Sequence, residues 1–104
     1  MHTFRGGIRI GNSSWDATNY TWPFANAAFT EDALRFSIDF FFLKTTCILP
    51  YHDISCVSSE KGFFLQGIRI RHHSDLMPEF LLFWTGKHHS FLEECRNHSI
   101  PVTA

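Results

Sequence analysis

The basic side chains with the most regular spacing in this sequence are Arg69, Arg71 and His73, which alternate along a segment that predicts a β-strand. Because successive side chains of a strand point to opposite faces, these three lie on one face, with neighbours about 6.6 Å apart. The planar guanidinium of arginine suits carboxylates and phosphates. Arg9 lies in the similar sequence 7–10 and joins this face if the two strands lie side by side. The pattern predicts a site for an anionic small ligand or an acidic protein partner.

An ordinary solvated sheet face is the alternative interpretation of this basic strand. In that case the cations are neutralised by carboxylates that the fold brings close. The candidates for such pairing are Asp16, Asp75 and Glu79. The sequence alone leaves both interpretations open.

Adjacent histidines at 72–73 and 88–89 raise the question of a metal site. Adjacent residues on a strand point to opposite faces, so a pair there offers at most one convenient ligand. Glu94 and His98 are four residues apart on a predicted helix and could share a metal. No spacing matches a closed zinc site, so we predict no metal and no cofactor.

Three cysteines, Cys47, Cys56 and Cys95, are widely spaced and form no CxxC motif. This usage is typical of reduced thiols in a cytoplasmic protein. Cys56 lies four residues from His52 across a predicted turn, but nucleophilic catalysis would also need direct contact and an orienting third group. The sequence therefore predicts no catalytic residue, and we expect a protein that is not an enzyme.

Aromatic residues make up 16% of the chain and charged residues only 18%, a balance that makes a fully solvated monomeric surface hard to build. We therefore expect a homo-oligomer or a concave apolar pocket. Trp15 and Trp22 either pin a long loop to the body or serve, with Phe41, as an interaction surface. If 40–42 belongs to a strand, one ring faces outward, where it forms an oligomer contact or is covered by the loop over 11–23.

Length and charge set the remaining bounds. A chain of 104 residues is the size of a single domain, here 1–104. The net charge of −1 with neutral histidines argues against nucleic-acid binding and membrane-surface binding by bulk charge. The first residues lack the pattern of a signal peptide, and the longest apolar run is too short to span a bilayer.

Hydrophobic alternation and turn residues predict seven short strands followed by one amphipathic helix. A polar loop is expected over 12–20 and a helix over about 87–98, with Phe91, Leu92 and Cys95 as its apolar stripe. The predicted strands are 4–10, 24–30, 33–39, 41–49, 54–58, 63–72 and 79–84.

Several segments of the chain resemble small uncharacterised bacterial proteins of the PH-like superfold, which includes PH and GRAM-type domains. The segments that carry this resemblance are GIRIGN at 7–12, SWDATNYTWPF at 14–24, LPYHDI at 49–54, and GIRIRHH at 67–73 followed by Phe83-Trp84.

The resemblance implies a split barrel of two nearly orthogonal antiparallel sheets, with seven strands and a C-terminal helix that plugs one open end. That fold hosts lipid, peptide and protein binders alike, and the family offers no established catalytic residues to carry over. Lipid-binding PH domains usually carry Lys and Arg near the first hairpin, whereas the turn expected at 30–33 is acidic.

We therefore predict a mostly β, PH-like binding or scaffolding module without catalysis. Its ligand is expected on the face of Arg69, Arg71, His73 and Arg9. The alternatives are a small metalloprotein or enzyme that uses the histidines, and a module for membrane-surface recruitment.

Overall fold

The computed structural model describes residues 2–13, 15–61 and 66–103, which form eight β-strands and one α-helix. The strands are β1 (His2–Gly11), β2 (Ala17–Phe29), β3 (Ala33–Phe40), β4 (Leu43–Pro50), β5 (Ile54–Lys61), β6 (Gln66–His72), β7 (Phe80–Thr85) and β8 (Val102–Thr103), and helix α1 spans His88–Asn97. A short 3₁₀ helix, Tyr51–Asp53, joins β4 to β5. The prediction of a mostly β fold with one C-terminal helix is confirmed. No helix in the described ranges is long and apolar enough to cross a membrane.

All eight strands belong to one sheet, in the order β4-β3-β2-β1-β7-β6-β5-β8. Strands β1 to β4 form one antiparallel meander, and β5 to β7 form another. The two are joined by antiparallel pairing of β1 with β7. The predicted count of seven strands is short by one, because β8 is a two-residue strand that pairs in parallel with β5. Two residues carry too little pattern to be predicted from sequence.

The core lies between the inner face of the sheet and α1. Inward residues such as Ile8 and Phe83 are fully buried because every second side chain of each strand points inward. Helix α1 buries Phe91, Leu92 and Cys95, the stripe that its sequence predicts. The Phe91 ring makes edge or tilted contacts with three other core rings, at centroid distances of 5.2 Å to Phe4, 5.0 Å to Phe29 and 5.3 Å to Phe83. The helix thus closes the core through a cluster of phenylalanines.

The first hairpin differs from its prediction. Strand β1 ends at Gly11 and β2 begins at Ala17, so the expected loop over 12–20 is wrong for residues 17–20, which belong to β2. The pairing of β1 with β2 breaks between Gly6–Ala25 and Ile8–Tyr20, which leaves residues 21–24 of β2 as a wide bulge. The first part of β2 is largely exposed and has a polar sequence, so hydrophobic alternation did not indicate a strand there. The acidic turn at 30–33 belongs to the second hairpin rather than the first.

Phe41 and Phe42 form the turn between β3 and β4, so the predicted strand over 41–49 starts two residues too early. Phe41 adopts a φ of 54°, the left-handed region that favours glycine. The rings of Phe41 and Phe42 are 78% and 104% exposed. The expected cover from the 11–23 segment is therefore absent for these two rings.

Candidate functional site

Arg9 and Arg69 lie on the outer face of the sheet in one cross-strand row. Each is paired with Leu82 of β7, Arg9 from one side and Arg69 from the other. The condition set by the sequence, that β1 lies beside β6, is not met, because β7 lies between them. The two arginines still share a face, since residues directly opposite in a sheet project to the same side. The row continues on β5 with Ser58, which is paired with Arg69.

Arg69 is held by an aromatic ring. Its guanidinium carbon lies 4.3 Å from the centroid of the Phe80 ring, a distance suited to a cation–π interaction. Phe80 is buried although it shares the outer parity of Leu82, because the arginine side chain covers it. The Arg69 Nε is buried and has no hydrogen-bond partner among the described residues. This side chain is therefore fixed in place with an unused donor.

Arg71 and Arg9 reach toward opposite sides of the face. Arg71 Nη1 donates to Ser58 Oγ at 3.0 Å, which draws this guanidinium toward β5. Arg9 Nη1 donates to Asn19 Oδ1 at 2.8 Å, which draws the other toward β2. Strands β7 and β6 lie between these two anchoring strands. The arginines thus form a broad band rather than a convergent pocket.

The alternative interpretation, a solvated sheet face, requires carboxylates close to the arginines. No carboxylate of the described residues lies within ion-pair distance of Arg69 or Arg71. Asp16, one of the candidate neutralising groups, accepts a hydrogen bond from Asn12 Nδ2 at 3.2 Å instead. Arg69 and Arg71 therefore keep their positive charge uncompensated by the described part of the chain.

His73, the fourth member of the predicted set, lies just beyond the end of β6. Its Nε2 is 3.5 Å from Asp53 Oδ1, and its backbone N–H donates to the Asp53 carbonyl at 3.0 Å. His52 Nε2 is 3.4 Å from the same carboxylate oxygen. The structure therefore directs His73 to a carboxylate rather than to the arginine band.

Trp15 projects from the first hairpin and is 95% exposed, so the expectation that it pins a loop to the body is wrong. The Ser13 hydroxyl accepts from the backbone N–H groups of Trp15 and Asp16, at 3.3 and 3.1 Å. This turn follows Gly11, which pairs with Phe80 of β7. Trp15 therefore stands at the Phe80 end of the arginine band, on a turn with defined hydrogen bonds.

The other two predicted interaction residues lie away from the arginine band, in different places. Trp22, 59% exposed, lies in the β2 bulge and borders a groove formed with β1 and the end of β7. Phe41 lies at the β3–β4 turn, where ring centroids are 4.6 Å apart for Phe40 and Phe41 and 4.8 Å apart for Phe24 and Phe40. The aromatic tip, defined as Phe24 and residues 40–43, is thus a second exposed surface.

One histidine of each adjacent pair, His72 and His88, is held by hydrogen bonds to other parts of the fold. His72 Nδ1 accepts from the Ser74 backbone N–H at 3.0 Å, and its Nε2 lies 2.9 Å from the Pro78 carbonyl oxygen. That arrangement fixes the neutral ring with the proton on Nε2 and anchors the following loop. His88 Nε2 lies 2.8 Å from Ser59 Oγ and links α1 to β5. Burial, and secondarily the charge of His89, lower the pKa of His88.

Glu94 lies between two imidazoles, with Oε1 3.5 Å from His2 Nε2 and Oε2 3.6 Å from His98 Nε2. In the parts of the chain that the structure describes, no three side chains of His, Cys, Asp or Glu form a group that could hold a metal ion. Glu94 and His98, four residues apart on α1, are therefore in contact, but the described residues supply no third metal ligand beside them.

Two of the three cysteines, Cys47 and Cys95, lie in environments that disfavour the reactive thiolate. Burial raises the pKa of the Cys95 thiol to about 12, and burial also raises that of Cys47. A hydrogen bond between Cys56 and His52 is absent from the described contacts, and the nearest ionic partner of His52 is Asp53. The geometry needed for a Cys–His nucleophile is thus not found at this pair.

Sequence reasoning missed the side chains that support the arginines. They are Asn19, Ser58, Phe80 and Leu82. Alternation along β7 places Phe80 and Leu82 on one face, but only the strand order brings that face between Arg9 and Arg69. These supporting residues could be found only from the pairing of the strands, and no short-range sequence pattern specifies that pairing.

Comparison of the chain with protein-family models, curated proteins and solved structures gives no match.

Proposed function

We propose that this protein is a non-catalytic binding module whose arginine band, Arg69, Arg71 and Arg9, recognises an acidic segment of a protein partner. The observation that carries the proposal is the uncompensated charge of Arg69 and Arg71 on one face, with Arg69 held over Phe80. The planar guanidinium of arginine is suited to carboxylates, with which it forms paired, charge-assisted hydrogen bonds.

The spread of the charges favours an extended ligand over a single small anion. Arg9 and Arg69 are separated by the whole of β7, so their backbones are about 9.6 Å apart. The hydrogen bonds to Asn19 and Ser58 draw Arg9 and Arg71 further apart. Several carboxylates along one segment can meet such a band, and the half-buried Leu82 provides an apolar floor between them.

The same proposal includes a PH-like split barrel as the scaffold. Three features support it: the two meanders, their connection through β1 and β7, and a sheet order in which β4 and β5 are not neighbours. The C-terminal helix packs on the core of this sheet. A scaffold of this kind presents a rigid outer face, on which the band keeps its spacing. An experimentally determined structure with a closed barrel would contradict this part of the proposal.

Binding of a labelled octaglutamate peptide, followed by fluorescence anisotropy at low ionic strength, tests the function. We expect octaglutamate to bind and uncharged octaglutamine not to bind. Replacement of Arg71 by glutamate (Arg71→Glu) should weaken octaglutamate binding by about tenfold or more, because it puts a like charge in the band.

Arg96→Glu on α1 is the matched control, since it makes the same change in net charge at a residue paired with Glu93 on the helix surface. We expect it to change the affinity by less than about twofold. Equal losses in the two variants would show attraction by net charge alone and would overturn the site. Absence of octaglutamate binding, or binding of inorganic phosphate alone at Arg69 and Arg71, would overturn the acidic-segment proposal.

A further inference from the structure

Strand β4 is an edge of the sheet and is long and exposed. Among the described residues it has one strand neighbour, β3, and stands at the end of the strand order. In an antiparallel pair, alternate residues direct their N–H and C=O groups toward the neighbour and the rest direct theirs away. The second side of β4 therefore presents a row of backbone donors and acceptors with no strand against it in the described structure.

Apolar side chains accompany this edge. Ile48 is 53% exposed, Leu43 is 40% exposed, and the aromatic tip continues directly from Leu43. Monomeric proteins normally protect such an edge with charges, prolines or covering loops. In β4 the protection consists of one charge, Lys44, and of Pro50 at the end of the strand.

We propose that β4 pairs antiparallel with β4 of a second copy of this chain, about a two-fold axis at Thr46, to form a homodimer. The inference is independent of the acidic-segment proposal, because β4 lies at the opposite side of the sheet order from β6. A two-fold axis perpendicular to the sheet maps the outer face onto itself, so residues of equal parity face each other.

The register centred on Thr46 suits the sequence of β4. It places Thr46 opposite its own copy, a pairing that β-sheets favour. It places Thr45 opposite the partner's Cys47 and Lys44 opposite the partner's Ile48. Since Lys44 is the sole charged residue in the sequence of β4, no like charges oppose each other. All residues from Leu43 to Leu49 are paired, and Pro50, which cannot donate a hydrogen bond, lies at the margin.

The same register gives the exposed Phe42 of the aromatic tip a partner. Phe42 falls opposite the partner's Pro50, and both positions have the parity of the outer face. The proline ring offers an apolar contact for Phe42. A second copy therefore covers both the backbone edge and the most exposed phenylalanine.

Charge swapping across the interface tests the register. By light scattering after size exclusion we expect a mass of twice 12.1 kDa for the unaltered chain. Ile48→Lys brings two lysine pairs into opposition and should shift the mass to one chain, while adding Lys44→Glu to Ile48→Lys should restore the dimer. Leu76→Lys, the same change at a residue that is 81% exposed on a loop outside β4, is the matched control and should remain dimeric.

Disulfide trapping gives a readout that does not depend on the stability of a variant. Thr45→Cys should cross-link to the partner's Cys47 under oxidised glutathione, because opposite residues of an antiparallel pair have Cα atoms about 4.5–5.5 Å apart, within the range that a disulfide spans. The product is a covalent dimer on a non-reducing gel, and it should disappear when Cys47→Ser is added.

A monomeric mass for the unaltered chain would overturn the proposal. So would a dimer that survives Ile48→Lys and fails to cross-link through Thr45→Cys. Cross-linking of the unaltered chain through Cys47 itself would place the axis at Cys47 and overturn the register at Thr46. Monomers that bind anionic vesicles through the aromatic tip would assign this surface to a membrane instead. Octaglutamate binding by the Ile48→Lys variant separates this outcome from any failure of the arginine band.

Discussion

At the scale of single residues, the most informative side chains are those kept in costly states. Phe41 adopts a left-handed backbone conformation at the turn between β3 and β4, and a bulky residue there is an outlier. Arg69 leaves a buried Nε unpaired over the Phe80 ring. Both residues belong to the surfaces to which we assign partners.

Phe41→Gly should raise the free energy of unfolding by about 0.5–1 kcal/mol, because relief of the left-handed strain outweighs the added freedom of the unfolded chain. The measurement is urea denaturation in the Ile48→Lys background, where dimer formation does not contribute. Phe42→Gly is the control, and it should give no stabilisation, since Phe42 has no positive φ. Equal effects at 41 and 42 would contradict the assignment of strain to Phe41.

At the scale of elements, His88 connects the start of α1 to β5 through Ser59, and its Nδ1 is buried without a described partner. Burial lowers the pKa of His88, so the folded protein takes up this proton less readily than the unfolded chain, whose histidine titrates near 6.5. The stability associated with neutral His88 is present above that value and is lost as the pH falls through it.

We expect the free energy of unfolding to fall more steeply between about pH 7.5 and about pH 5.5 in the unaltered chain than in His88→Gln. Parallel thermal-denaturation series at the two ends of this range measure the difference. His89→Gln, at an exposed neighbour, should retain most of the steep fall. Identical slopes for the unaltered chain and His88→Gln would exclude a role for His88 in the pH response.

The elements could be predicted where one face is buried and the other is wet. Alternation over 63–72 predicted a strand and placed Arg69 and Arg71 on one face; β6 confirms it from Gln66, and 63–65 lie outside the described residues. The spacing of Phe91, Leu92 and Cys95 specified the buried side of α1. The predicted strand 24–30 covers only the second half of β2, and the first half was not predicted because it is exposed and bulged. The supports of the arginines escaped because they depend on which strands pair, and pairing is decided by contacts distant in sequence.

At the scale of the whole molecule, the phenylalanine cluster joins the helix to strands from both meanders. Phe91 contacts rings of β1, β2 and β7 and has no exposed surface. A single side chain at this junction therefore supports the whole core rather than one element.

Phe91→Ala should lower the free energy of unfolding by about 3–5 kcal/mol, the usual cost of a large cavity, and leave little of a small domain's stability. Chemical denaturation measures the loss, with loss of near-ultraviolet circular dichroism as a second readout if the variant is already unfolded. Leu76→Ala, at an exposed loop position, should cost less than about 0.5 kcal/mol. A small effect at Phe91 would show that α1 is dispensable for the core.

The pairing of β1 with β7 also has a consequence for how the chain is made. The Thr85 hydroxyl donates to the Arg5 carbonyl at 2.9 Å across 80 positions of sequence. On the ribosome, β1 must therefore wait for residues 80–85 before its second neighbour exists, while the edge of β4 is already complete. During that interval a nascent chain exposes two strand edges at once, and chains on neighbouring ribosomes can associate through them. A domain of this topology is thus expected to rely on chaperones during synthesis more than its small size suggests.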